Sequence, residues 1–174
     1  MWHSAPGIVL SLAAYAMGMI GMLLSSAAYN LTSNCLLKSR LRRFDHASIF
    51  LAIAGSYTPL LTRLPTWHSA AVSLVWGIAA AGVILKLFAP GRYERAGLAL
   101  YLGLGWIGLP LAPTLAGHLR HGTASLIVLG LSIYTLGVGA YLAKRLRYHN
   151  VLWHAMVLAA AGCHFTAMMT EFCP

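Results

Sequence analysis

Residues 41–62 read LRRFDHASIFLAIAGSYTPLLT, a basic run that passes directly into an apolar helix. Asp45 stands at that junction and is one of only three acidic residues in the 174-residue chain. A carboxylate at the mouth of a membrane segment is costly unless it pairs, binds a proton or serves a site, which makes Asp45 a functional candidate by default. The stretch ASIFLAIAGSY that follows carries no charge at all. The chain is therefore read outward from here as membrane-embedded.

Composition agrees with that reading. The chain is 59% hydrophobic and 9% charged, with a mean hydropathy of +0.73, whereas soluble domains are charged at about a quarter of their positions. A formal net charge of +9 raises nucleic acid as a partner. The twelve Lys and Arg residues, however, sit in short clusters between apolar runs, the pattern that encodes membrane topology rather than a nucleic-acid face. Membrane lipids are the expected partners, and nucleic acid is not one. Met1 to Gly7 contains no Lys or Arg, and the apolar run that follows is long enough to span, so a retained first span is expected rather than a cleaved signal. Cys35, Cys163 and Cys173 show no CxxC spacing, which supports neither a disulfide framework nor a zinc knuckle.

A hydrocarbon core of about 30 Å needs roughly 20 helical residues. Six apolar runs approach that length, at 8–31, 46–62, 68–89, 96–117, 123–143 and 151–170. The expected fold is an all-α polytopic transmembrane helix bundle of six spans, with residues 1–174 forming one domain. Ten Lys and Arg residues fall in alternate connections, Lys38 to Arg43, Lys86 to Arg95 and Lys144 to Arg147, against only Arg63 and Arg120 in the others. This bias places the three basic segments in the cytoplasm and both Met1 and Pro174 outside. Glycines such as Gly18, Gly21, Gly103, Gly105, Gly108, Gly137 and Gly139 read as close-packing positions. Trp67, Trp76, Trp106 and Trp153 read as interfacial anchors or packing residues.

That topology brings three polar sets to one membrane depth. Ser26 and Asn30 lie four apart near the end of the first span, Asp45 and His46 open the second, and Asn150 and His154 lie four apart at the start of the last. Imidazoles can hold a metal-bound water, and a nearby carboxylate can accept its proton. His154 lies on the converging face, with His149 and His46 as possible recruits. His164 is about 15 Å deeper along its helix and reads as a buried histidine bonding across helices. His3, His68, His118 and His121 read as solvated. The structural alternative for Asp45 is a carboxylate that caps its own helix and pairs with Arg42 or Arg43.

At these residues the chain resembles the hemolysin III family, the bacterial branch of the progestin and adipoQ receptor group that includes the adiponectin receptors. The resemblance is carried by LRRFDHASIFLAIAGSYTPLL, SSAAYN and YTLGVGAYLAKRLRYHNVLWHAMVLAAAGCHF, in that order. It implies a bundle normally of seven helices and a zinc ion near the cytoplasmic side. The family pattern sets a histidine four residues after a serine, two histidines four apart on the last helix, and an aspartate beside the metal-bound water. Carried across, the serine is Ser26, the aspartate Asp45 and the final histidine His154. Asn30 and Asn150 occupy the other two ligand positions, and an amide oxygen is a weak ligand for zinc. The first span aligns with the family's second, so either the start is placed late or this is a six-helix variant.

Two classes of function follow as expectations. One is a metal-dependent hydrolase of lipid amide or ester bonds, with Asp45 and Ser26 as catalytic groups and a degenerate zinc site at His154. The other is a non-enzymatic lipid- or ion-binding bundle concerned with membrane homeostasis. A cytolytic role, suggested by the family name, ranks last, because no separate pore-forming amphipathic hairpin or secretion signal is visible.

Overall fold

The computed structural model describes residues 6–64, 68–89 and 94–173. His3, Trp67, Arg92 and both chain ends, Met1 and Pro174, lie outside the described residues. Those described form seven α-helices and one 3-10 turn, with no strand among them. The helices are α1 (Pro6–Leu31), α2 (Cys35–Leu61), α3 (His68–Phe88), α4 (Glu94–Trp106), α5 (Ala112–Ala116), α6 (Thr123–Leu142) and α7 (His149–Phe172). Five segments are long and apolar enough to cross a membrane: Gly7–Leu31, His68–Phe88, Ala96–Leu115, Thr123–Leu142 and His149–Phe172. The chain is an all-helical, polytopic membrane protein. Helix α2 has a comparable length of 27 residues, but its KSRLRR and Asp45–His46 segments keep it out of that set.

The largest departure from the sequence expectation lies in α2, which starts eleven residues before position 46. Lys, Arg and Leu are good helix formers, and Asn34 supplies the cap: its extended backbone lets Oδ1 accept from Leu36 N and Leu37 N, both at 3.1 Å. The basic segment is thus helix and not loop. Asp45 consequently lies well inside α2, and the reading in which it caps its own helix is corrected, because that role belongs to Asn34. A second departure is the break between α4 and α5. Pro110 and Pro113 lack an N–H and occupy the second positions of the Leu109–Leu111 turn and of α5, within the first turn where no N–H is required.

The chain divides into two compact units, Met1–Gly105 and Trp106–Pro174. In the first, α1 and α2 meet through reciprocal glycines. A Cβ on Gly18 would lie 2.7 Å from the Leu51 carbonyl oxygen, and one on Gly55 would lie 2.7 Å from that of Ala14. Phe50 of α2 is fully buried, fills the space left by Gly82 of α3, and meets the Tyr101 ring of α4 at 4.5 Å between centroids, tilted by 46°. Trp76 Nε1 donates to Thr58 Oγ1 at 3.0 Å and Tyr57 Oη to Gly105 O at 2.5 Å. In the second unit α6 and α7 pack through Gly130 and Gly137, which face His164 and Trp153. Trp106 Nε1 donates to Thr135 Oγ1 at 3.0 Å, so this tryptophan and Trp76 are packing residues with satisfied N–H groups.

Candidate functional site

The predicted site residues fall in both units: Ser26, Asn30, Asp45 and His46 in the first, His149, Asn150 and His154 in the second. In the first unit the face of α1 turned to α2 is built from Ser11, Tyr15, Gly18 and Met22, all buried at alternating spacings of four and three. The next member of that series is Ser25. Its Oγ lies 2.7 Å from Ser48 Oγ across the helix pair, and Ser48 Oγ donates to the Asp45 carbonyl at 2.8 Å. Ser26 is one residue, about 100°, off that face. Its carbonyl instead accepts Asn30 Nδ2 at 2.8 Å, which folds the amide back on its own helix.

Asp45 and His46 form the charged part of this cluster. His46 Nδ1 is 3.3 Å from Asp45 Oδ2, and the two side chains are 27% and 14% exposed. The pair is within ion-pair distance but not aligned as a hydrogen bond, so His46 Nδ1 is buried with no hydrogen-bond partner. The backbone beneath is held by α4, where Tyr101 Oη donates to His46 O at 2.7 Å. Lys86 completes the surroundings of Tyr101. Counted from sequence among the loop cations, it belongs to the last turn of α3, is 8% exposed, runs beside Gly97, and sets its Nζ 5.7 Å from the Tyr101 ring centroid. Arg43 turns to the Leu87 carbonyl at 3.5 Å, where a cation offsets the negative end of the α3 dipole.

In the second unit His154 Nδ1 donates to the Asn150 backbone carbonyl at 2.7 Å, while Asn150 itself is exposed. His149 begins α7. Its ring meets Tyr141 edge-on at 6.5 Å, and its buried Nδ1 has no hydrogen-bond partner. His164 is buried on α7 against Gly130 of α6 and lies edge-on to Tyr134 at 5.7 Å, with its Nε2 unpartnered. His68, His118 and His121 are exposed.

Sequence reading missed Ser25, Lys86 and Tyr101. The first was findable from the 4-3-4 spacing that continues through Gly18, and the second from a lone cation inside the apolar run VILKLF. Tyr101 had no comparable signal, because only the packing of α4 on α2 reveals what its hydroxyl reaches.

The donor set argues against a three-imidazole metal centre. Two of the three family ligand positions are amides, one of them folded back on its own helix, and His154 is the only imidazole at those positions. Among the described residues no three His, Cys, Asp or Glu side chains are grouped to hold a metal ion. The three residues at the family's ligand positions therefore do not reproduce its three-imidazole set.

Comparison with known proteins gives a consistent picture. The profile described as "Haemolysin-III related" matches residues 2–165. The chain is similar to the "Hemolysin-3 homolog" of Bacillus subtilis (strain 168), 28% identical over 163 residues, covering 92% of this chain and 76% of the relative. It is also similar to the "Hemolysin-3" of Bacillus cereus, 26% identical over 178 residues, covering 99% and 80%. No solved structure matches the chain.

Proposed function

Because the chain belongs to the haemolysin-III related family, we propose that it acts as a non-enzymatic lipid- or ion-binding membrane protein concerned with membrane homeostasis. Its centre in this reading is the cluster of Ser25, Asp45, His46 and Ser48. The observation that carries it is the bonding of the Asn30 amide to Ser26 at 2.8 Å, at a position where the family pattern calls for an imidazole. A partly buried carboxylate beside an imidazole is a binding centre for a cation or a polar headgroup without any metal. The charge bias of the connections supports a bacterial inner-membrane location with the basic segments in the cytoplasm.

The test is metal analysis of protein purified without chelator, alongside lipid-amide hydrolysis and ion flux in vesicles. The expected result is far less than one zinc per chain, no turnover, and a binding or flux phenotype that Asp45→Asn abolishes. Stoichiometric zinc together with turnover lost in His154→Ala overturns the proposal. That outcome would support the second reading, a hydrolase of lipid amide or ester bonds with Asp45 and Ser26 as catalytic groups and His154 as metal ligand. One observation favours this alternative: the Nδ1 contact of His154 with the Asn150 carbonyl is the kind of bond that orients a ligating imidazole.

A further inference from the structure

The corner where α1 gives way to α2 presents charges in an unusual setting. Helix α2 has 27 residues, roughly 40 Å at 1.5 Å per residue, about 10 Å more than a hydrocarbon core. Its charges all lie in the first half, so the surplus falls at the N-terminal end. A crossing α2 with Leu61 at the opposite boundary would set Cys35 to Leu41 in the headgroup layer and Arg42 to Phe44 at its inner edge. Arg40, Arg42 and Arg43 are exposed there. So are large apolar side chains, with Leu31 at 85%, Leu36 at 83% and Phe44 at 57% exposure.

A helix segment that offers cations and bulky apolar groups at one level suits the boundary between headgroups and acyl chains. Two of the cations are held in place without being neutralised. Lys38 Nζ lies 5.4 Å from the Tyr29 ring centroid, and Arg43 is fixed to the Leu87 carbonyl. Asn34 caps the segment, so the charges are displayed on rigid helix. Leu36, Arg40, Arg43 and Phe44, at spacings of four and three, are exposed on one face of α2. A free anion would satisfy the charges and leave Leu31, Leu36 and Phe44 in water. A diacyl lipid satisfies both.

We propose that the first turns of α2, Leu36 to Phe44, are a binding site for an anionic phospholipid, whose phosphate is taken by Arg40 and Arg43 and whose acyl chains cover Leu36 and Phe44. The site is separate from the Asp45 cluster and does not depend on the function proposed for it. Full-length protein reconstituted in nanodiscs of mixed phosphatidylglycerol and phosphatidylcholine, then stripped with detergent, tests the idea through native mass spectrometry of the lipids retained. Wild type retains phosphatidylglycerol preferentially. Each cation removed lowers the preference roughly fivefold, so Arg40→Gln with Arg43→Gln lowers it about 25-fold, while Arg40→Lys with Arg43→Lys keeps it.

The equal charge change Lys144→Gln with Arg145→Gln, in the second unit, leaves the preference intact. Equal retention of both lipids by wild type overturns the proposal. So does an equal loss from the two glutamine pairs, which shows only a response to net charge. Helicity by circular dichroism checks the fold of each variant, and Arg40→Gln alone, at an exposed helix position, carries the test if the double variant is misfolded.

Discussion

At the scale of single residues, the contrast between Ser25 and Ser26 is the most direct check on the site. Both are helical serines near the end of α1, but Ser25 Oγ reaches Ser48 at 2.7 Å while Ser26 Oγ has only a 3.5 Å approach from Asn30. Interhelical hydrogen bonds in membrane proteins average about 0.6 kcal/mol. Ser25→Ala is therefore expected to cost about that much, Ser26→Ala close to nothing, and the Ser25→Ala/Ser48→Ala double variant less than the sum of its singles. Unfolding in mixed micelles measures all four proteins, and equal effects of the two α1 serines would refute the assignment. Glu171 is the residue whose removal should cost more. It is 4% exposed near the C-terminal end of α7, where the helix dipole disfavours a carboxylate, and its Oε2 accepts Arg120 N at 2.9 Å. Arg120 Nη1 in turn donates to Thr170 O at 3.0 Å. Hydrogen bonds to charged groups are worth about 1.5–3 kcal/mol. Glu171→Leu, which abolishes the acceptor, is expected to fall in that range in the same unfolding measurement, with Glu171→Gln intermediate.

At the scale of helices, small residues decide how closely the pairs approach. A methyl on Gly18 or Gly55 meets backbone carbonyls that cannot swing aside, whereas Gly21 has nothing within 4 Å. Overpacking of this kind costs about 1–3 kcal/mol, and an exposed helical Gly→Ala change is favourable by up to about 1 kcal/mol. Gly18→Ala and Gly55→Ala should therefore lower the unfolding temperature while Gly21→Ala holds or raises it. If all three behave alike, the α1–α2 interface is not where the structure puts it. The glycines were visible in the sequence as packing candidates, but which of them face a neighbour was not, because Gly18 and Gly21 differ only in the side of α1 they occupy. The same limit explains α2. Its apolar half was legible from composition, but a basic run between two hydrophobic stretches reads equally as loop or helix until the cap at Asn34 is noticed. Breaking that cap with Asn34→Ala should cost about 1 kcal/mol and loosen amide-exchange protection from Cys35 to Leu41 without touching Phe50.

At the scale of the whole molecule, membrane embedding and the order of helices followed from hydropathy alone, since every backbone polar group in lipid must be satisfied within a helix. The site was less legible because its family positions carry the wrong side chains. Spacing still locates Ser26, Asn30, Asp45, Asn150 and His154, but it cannot show that Asn30 bonds its own helix or that Ser25 makes the contact across to α2. Topology turns on α2, the one long helix outside the set apolar enough to span by composition. The free cysteines can decide whether it crosses, because Cys35 opens α2 and Cys173 follows α7. If α2 crosses, an odd number of spans separates them: α2, α3, α4 with α5, α6 and α7. The two thiols then lie on opposite sides. If α2 lies in the interface, the number is even and they share a side. The 27-residue length and the buried residues along its second half, among them Ala54, Gly55, Ser56 and Leu60, argue for crossing. Single-cysteine variants retaining Cys35 or Cys173, labelled with a membrane-impermeant maleimide in intact and in lysed cells, should react differently: Cys173 in both, and Cys35 only after lysis. Labelling of both thiols in intact cells, or of neither, would mean that α2 does not cross and that Asp45 faces the interface rather than the interior of the membrane.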